Sequence, residues 1–171
     1  MSQAWIELDP DEYDRSWAAF CEQFHFRPST DPATWPAITE PVPSLTFDLG
    51  PVFDVGQAEF TRRVAAVNEA GFRSFAQCMG AGHRMIALDW QHPGYWYRPA
   101  EHAFDREAPV PVFPNGDYYV HLREDFSGGT FGHPWERTLC VFGADFVETL
   151  GASLATWLPL KRQQPSPELE S

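Results

Sequence analysis

Lysine is almost absent: Lys161 is the one example in 171 residues, against eleven arginines, and Asn and Ile occur only two and three times. The skew fits a GC-rich coding genome and is not read as arginine-rich binding chemistry. Cysteine is scarce too. Cys21, Cys78 and Cys140 lie far apart and none belongs to a C-x-x-C, which argues against a disulfide framework and a zinc ribbon. All three fall in apolar segments, where a free Cys is expected to behave as a small buried hydrophobe. No stretch approaches the ~18 consecutive apolar residues of a membrane span. The opening Met-Ser-Gln-Ala-Trp-Ile-Glu has neither a basic region nor an apolar core, so no secretory signal is read there. Without a signal or a disulfide pattern, a cytoplasmic location is expected. G-x-G-x-x-G, P-loop and G-x-S-x-G motifs are also missing, so those routes to nucleotide binding and serine chemistry are not indicated.

Apolar residues supply 43% of the chain and aromatics 15%, with seven Trp, which is enough to offset the entropy of ordering the chain. The length suits one domain. Acids outnumber Lys plus Arg by 24 to 12, a formal charge of −12, which argues against nucleic acid or an anionic membrane as partner. The charge is uneven. Residues 1–60 hold eleven acids and two arginines, a balance of −9, whereas residues 61–100 balance at +3 and the remainder at −6.

Asp9, Pro10 and Glu12 have the spacing of a helix cap, and Tyr13, Trp17, Phe20, Cys21 and Phe24 then recur as one apolar stripe. A second helix is expected from about Gly56 to Met79, interrupted or split at Gly71. A last one runs from about Ala144 to Leu158. Between them the period changes to two. Strands are expected at Ser44–Leu49, Arg84–Gln91, Tyr95–Arg98, Asp117–Leu122 and Arg137–Phe142, with a loop around Gly128-Gly129 and His133-Pro134. Clustered strands rather than alternating βαβ units predict an α+β fold: a mainly antiparallel sheet of four to five strands packed with three helices. Residues 1–160 form the expected domain, and 161–171 a flexible tail.

Unusual density of polar and aromatic residues falls at Leu88–Pro93 (LDWQHP), Pro114–Tyr119 (PNGDYY), Gly129–Glu136 (GTFGHPWE) and Thr138–Gly143. On these strings the chain resembles a bacterial family, domain of unknown function 2716, over roughly Pro43 to Phe146. The resemblance implies a single-domain protein of about this length and no known activity.

If the strands around Asp89 and Asp117 pair, Asp89, Gln91, Asp117, Tyr119 and His121 are expected to share one polar face. His92 and His133 would stand in adjoining loops. A loop-held His beside carboxylates can tune an acid or base toward neutral pH. Asp89, His92, Asp117 and His133 are therefore the catalytic or hydrogen-bonding candidates. Gln91, Tyr95, Tyr97, Tyr119, His121, Trp135 and Glu136 are the ligand-binding ones. A competing account has these groups satisfying turn amides on a solvated sheet face. His92, His133 and Glu136 could also make a His₂Glu metal set, but a capped turn at His133-Pro134 explains that spacing more simply, so no metal or cofactor is expected. Two partners stay open: a small molecule in a polar-aromatic cleft at the strand ends, or a basic protein bound by an acidic, immunity-type inhibitor. The cleft is favoured, because loops and strand ends are where sites are usually built.

Overall fold

The computed structural model describes residues 3–166. One antiparallel sheet of eight strands organises them, in the order β1 (Trp5–Glu7), β4 (Tyr95–Tyr97), β3 (Met85–Asp89), β5 (Tyr119–Arg123), β6 (Gly129–His133), β7 (Thr138–Phe142), β2 (Ser44–Asp48) and β8 (Leu160–Gln164). Helix α1 (Pro10–Phe24) covers one face and α3 (Gln57–Cys78) the other. The short α2 (Gly50–Phe53) precedes α3. After β7, α4 (Ala144–Phe146) passes through a π-helical turn, Val147–Gly151, into α5 (Ala152–Leu154). No helix among these residues is long and apolar enough to cross a membrane.

Local sequence accounts for the helix starts. The Asp9 carboxylate accepts from the Glu12 amide at 2.8 Å while the Glu12 carboxylate accepts from the Asp9 amide at 2.9 Å, a reciprocal cap with Pro10 in the first turn. Phe20 and Phe24 of α1 then pack on Ile86, Leu88, Val120, Leu122, Phe131 and Phe142 of the sheet. Cys21 is exposed, one step off that stripe, and is not the buried hydrophobe expected. Val67, Phe72 and Phe75 of α3 pack on the opposite face against Phe47, Met85, Ala87, Tyr97, Leu139 and Val141. Gly71 does not split α3. It is the place where another segment closes on the helix, since a Cβ there would lie 2.7 Å from Val112 Cγ2.

The sheet exceeds the four to five strands expected, and α2 adds a helix to the three. β6 was hidden by its glycines, which mark close approach rather than a loop. A Cβ on Gly129 would stand 1.8 Å from the His121 carbonyl oxygen, and one on Gly132 would stand 2.9 Å from Pro114. β1 has only three residues, too few to show alternation. β8 lies in the stretch expected to be tail. Its Lys161–Gln164 belong to the sheet, and residues 167–171 fall outside the described ones.

Arg162 is what ties β8 down. Its guanidinium donates to Glu40 at 2.8 and 3.1 Å and to Glu136 at 2.9 and 2.8 Å, and both carboxylates are only 4% exposed. Thr46 and Thr138 donate to the same two carboxylates, at 2.5 and 2.7 Å. Removing the cation leaves two nearly buried anions facing each other. Arg162→Met is expected to cost about 3 kcal/mol in urea unfolding. Adding Glu40→Gln and Glu136→Gln should recover part of that loss; no recovery would show that the network does not anchor the strand.

Candidate functional site

β3 is buried along Met85–Leu88 on both faces, and Asp89 is the residue at which it reaches the surface. Asp89 is directly opposite Tyr119 of β5, and Asp117 precedes that strand on the same, α3-side face. After Trp90 the chain turns through Gln91, whose φ is +66°, and the His92 amide donates to the Asp89 carbonyl at 3.1 Å. The turn swings the imidazole back over the acids. Nδ1 of His92 lies 3.1 Å from Asp89 Oδ1 and 2.9 Å from Asp117 Oδ2. Both carboxyl groups are 15% exposed, whereas the imidazole is 61% exposed. One ring nitrogen thus faces two sheltered acids.

Desolvation, reinforced by the hydrogen-bonded and like-charged Asp117, pushes the Asp89 carboxyl up to about 7. Contact with Asp89 raises the His92 pKa above that of a free imidazole. Desolvation and the two acids raise the Tyr119 hydroxyl to about 12, and burial with Glu7 and Asp89 raises Tyr95. Beside the cluster lies a groove of about 310 Å³, lined by Glu7, Leu8, Pro10, Tyr13 and the Gln91–Gly94 turn. It exists because the Leu8 amide donates to the Gly94 carbonyl at 2.9 Å, which holds the start of α1 against the turn. Glu7 and Tyr13 were not among the expected site residues. The acid just ahead of the helix cap was the available signal, but β1 had to be seen to place it.

Asp89, His92, Asp117, Tyr95 and Tyr119 come together; His133 does not join them. It is fully buried on the α1 face, 5.0 Å from the Tyr118 ring and 5.3 Å from the Trp35 ring between centroids, and burial pushes its pKa down to about 4. Its Nδ1 accepts from the Glu136 amide at 3.0 Å, so the His133-Pro134 step is a capped turn. Glu136 is committed to Arg162, and Trp135 is exposed beside Tyr118. The His92, His133 and Glu136 metal set is therefore not assembled. Tyr97 and His121 lie in the core beneath α3 instead of walling a cleft, whereas Gln91, exposed in its turn, lines the groove. His121 donates from Nε2 to the Val110 carbonyl at 3.1 Å, and burial pushes its pKa down to about 3. Alternation along a strand covered on both faces put these two inside, where a one-faced sheet would have left them wet.

The family described as "Protein of unknown function (DUF2716)" matches residues 7–147. The chain belongs to this family. It is 32% identical over 152 residues to "Uncharacterized protein YxiI" of Bacillus subtilis (strain 168), a match covering 85% of this chain and 91% of that protein. No solved structure matches. Within the matched region, LDWQHP supplies Asp89 and His92 while PNGDYY supplies Asp117. Two of the strings that carried the resemblance therefore meet at one cluster. The same three side chains offer one donor atom each within 4.8 Å, the spacing of a carboxylate–imidazole metal set.

The Asp89 titration has a stability consequence with a definite sign. Its folded pKa lies above that of an unfolded Asp, so the folded state holds more protons between about pH 4 and 7. This contribution is present at low pH and is lost as pH rises through 7. Carbon NMR of the Asp89 carboxyl should titrate near 7. In Asp117→Asn it should titrate lower but still above an ordinary Asp, because desolvation persists. An unchanged midpoint would remove Asp117 as a cause.

Proposed function

We propose that this protein binds a small molecule in the groove beside Asp89, His92 and Asp117, and that the ligand presents a cationic or protonatable nitrogen to the carboxyl pair. One observation carries the reading: two sheltered carboxyl groups converge on a single imidazole at the edge of a groove. Glu7 puts an acid on the lining itself, with His92 of the cluster, and no Arg or Lys lines the groove among the described residues. A carboxyl pair with one shared proton can accept or release that proton near neutral pH, so proton transfer with the ligand is the chemistry available. His92, the exposed member, is placed to hand the proton on, and Tyr95 and Tyr119 flank the acids.

A series of small amines (ethanolamine, histamine, putrescine) tests this by thermal unfolding. A member that fits should raise Tm by about 5 °C at a hundredfold excess over Kd. The rise should vanish in Asp89→Asn and Asp117→Asn and weaken in His92→Ala. No saturable response, or one that survives both Asn variants, would overturn the reading.

A second reading rests on a different surface. The outer side of α1 and its cap expose Asp9, Asp11, Asp14 and Glu22 against Arg15 alone, a face suited to a basic protein partner. Asp11→Lys, Asp14→Lys and Glu22→Lys together should abolish salt-dependent capture of such a partner while leaving the amine response intact. Capture that is unaffected by the three lysines would remove α1 as the interface.

A further inference from the structure

A second cavity, of about 380 Å³, opens between α3 and the proline-rich segment 99–115, walled by Phe72, Phe104 and Phe113. Its volume lies within the roughly 300–1,000 Å³ of small-molecule pockets. Its polar groups are held in place from behind. Asn68 spends its side-chain oxygen on two backbone amides, Val112 and Phe113, both at 2.8 Å, so the Asn68 NH₂ remains as a donor on the lining. His102 stacks on Phe72, with centroids 4.2 Å apart, and its Nδ1 lies 2.8 Å from the buried Tyr97 hydroxyl. That hydroxyl has no other partner among the described residues. Its proton is satisfied only by donating to Nδ1, which places the ring proton of His102 on Nε2. Burial also lowers the His102 pKa and keeps the ring neutral. Arg106 lines the cavity as well and pairs with no carboxylate among the described residues. Of the acids on the lining, Glu69 is taken up by Arg73 at 2.8 Å, and Glu107 is exposed.

The fixed neutral polar groups of this cavity, Asn68 and His102, are donors, the wall is aromatic, and a free guanidinium completes it. We infer that it binds a small carboxylate with an apolar or aromatic body, the carboxylate taken by Asn68, His102 and Arg106 and the body by the three phenylalanines. Neutral Nε2–H and NH₂ donors together with a guanidinium complement an anionic acceptor, while the acids of the lining are Glu69, paired with Arg73, and the exposed Glu107. This site shares no residue with the Asp89 groove and does not depend on the reading given for it.

The test is a titration of the full chain with 3-phenylpropionate, indole-3-acetate and hexanoate, followed by ¹H–¹⁵N NMR at the Asn68 side-chain amide. At least one should give a saturable shift. The matching neutral amide, 3-phenylpropionamide for the first, should bind about tenfold more weakly, as should the carboxylate to Arg106→Ala. Ala65→Trp, on the exposed surface of α3 at the lining, should block the cavity and remove binding, whereas Asp89→Asn should leave it intact. The inference is overturned if no carboxylate saturates, if the neutral amide binds equally well, or if Ala65→Trp binds as the wild type does.

Discussion

Burial of the central strand on both faces is the constraint from which the rest of the molecule follows. β3 has α1 on one side and α3 on the other, so neither face of Met85–Leu88 can carry a polar group. Polar chemistry is pushed to the strand ends. At one end Asp89 emerges beside Asp117 and is met by His92; at the other, Arg84 donates to Glu124 at 2.7 Å and lies over Trp96. His121 is the exception that shows the cost. Held inside, it keeps one hydrogen bond and a neutral ring, and its Nδ1 has no partner among the described residues.

The protein meets the problem of two neighbouring carboxylates twice, with different cations. At the β8 edge, Glu40 and Glu136 are bridged by Arg162 through four N–H···O bonds of a planar, permanently charged fork. That arrangement holds Glu136 below the ordinary range and does not respond to physiological pH. At the β3 end, Asp89 and Asp117 are bridged by one imidazole nitrogen. A single donor that is itself titratable cannot satisfy four carboxylate oxygens, and desolvation together with the neighbouring Asp117 holds Asp89 up near 7. The first pair fastens a strand. The second stays responsive at neutral pH, and for that reason it is the candidate site.

What the sequence made legible divides along the same line. The Asp9–Glu12 cap, the α1 stripe and β3 were readable because each is a local pattern. So was the meeting of Asp89, His92 and Asp117, once β3 and β5 were paired in the right register. The β6 glycines and the position of His133 were not readable, because each is decided by what stands opposite. Gly129 reads as a turn until the His121 carbonyl is placed against it. His133 reads as a loop ligand until pairing with Thr138 sends it to the α1 face. The helix across the second face turned Tyr97 and His121 from wall into core, and alternation alone cannot report a covering helix.

The segment leading to Asp117 shows how far that covering helix reaches. It is pinned three times from the α3 side. His121 holds the Val110 carbonyl, Asn68 holds the amides of Val112 and Phe113, and Gly71 lets Val112 lie against the helix. Four residues beyond Phe113, Asp117 turns one carboxylate oxygen to the Tyr118 amide at 2.9 Å and the other to His92. The acid is therefore positioned from both ends, by β5 pairing on one side and by α3 on the other. A core histidine and a helix asparagine, neither near the groove, fix where its charge is placed. In this fold the buried polar groups serve the site by fixing the path of the backbone that carries it.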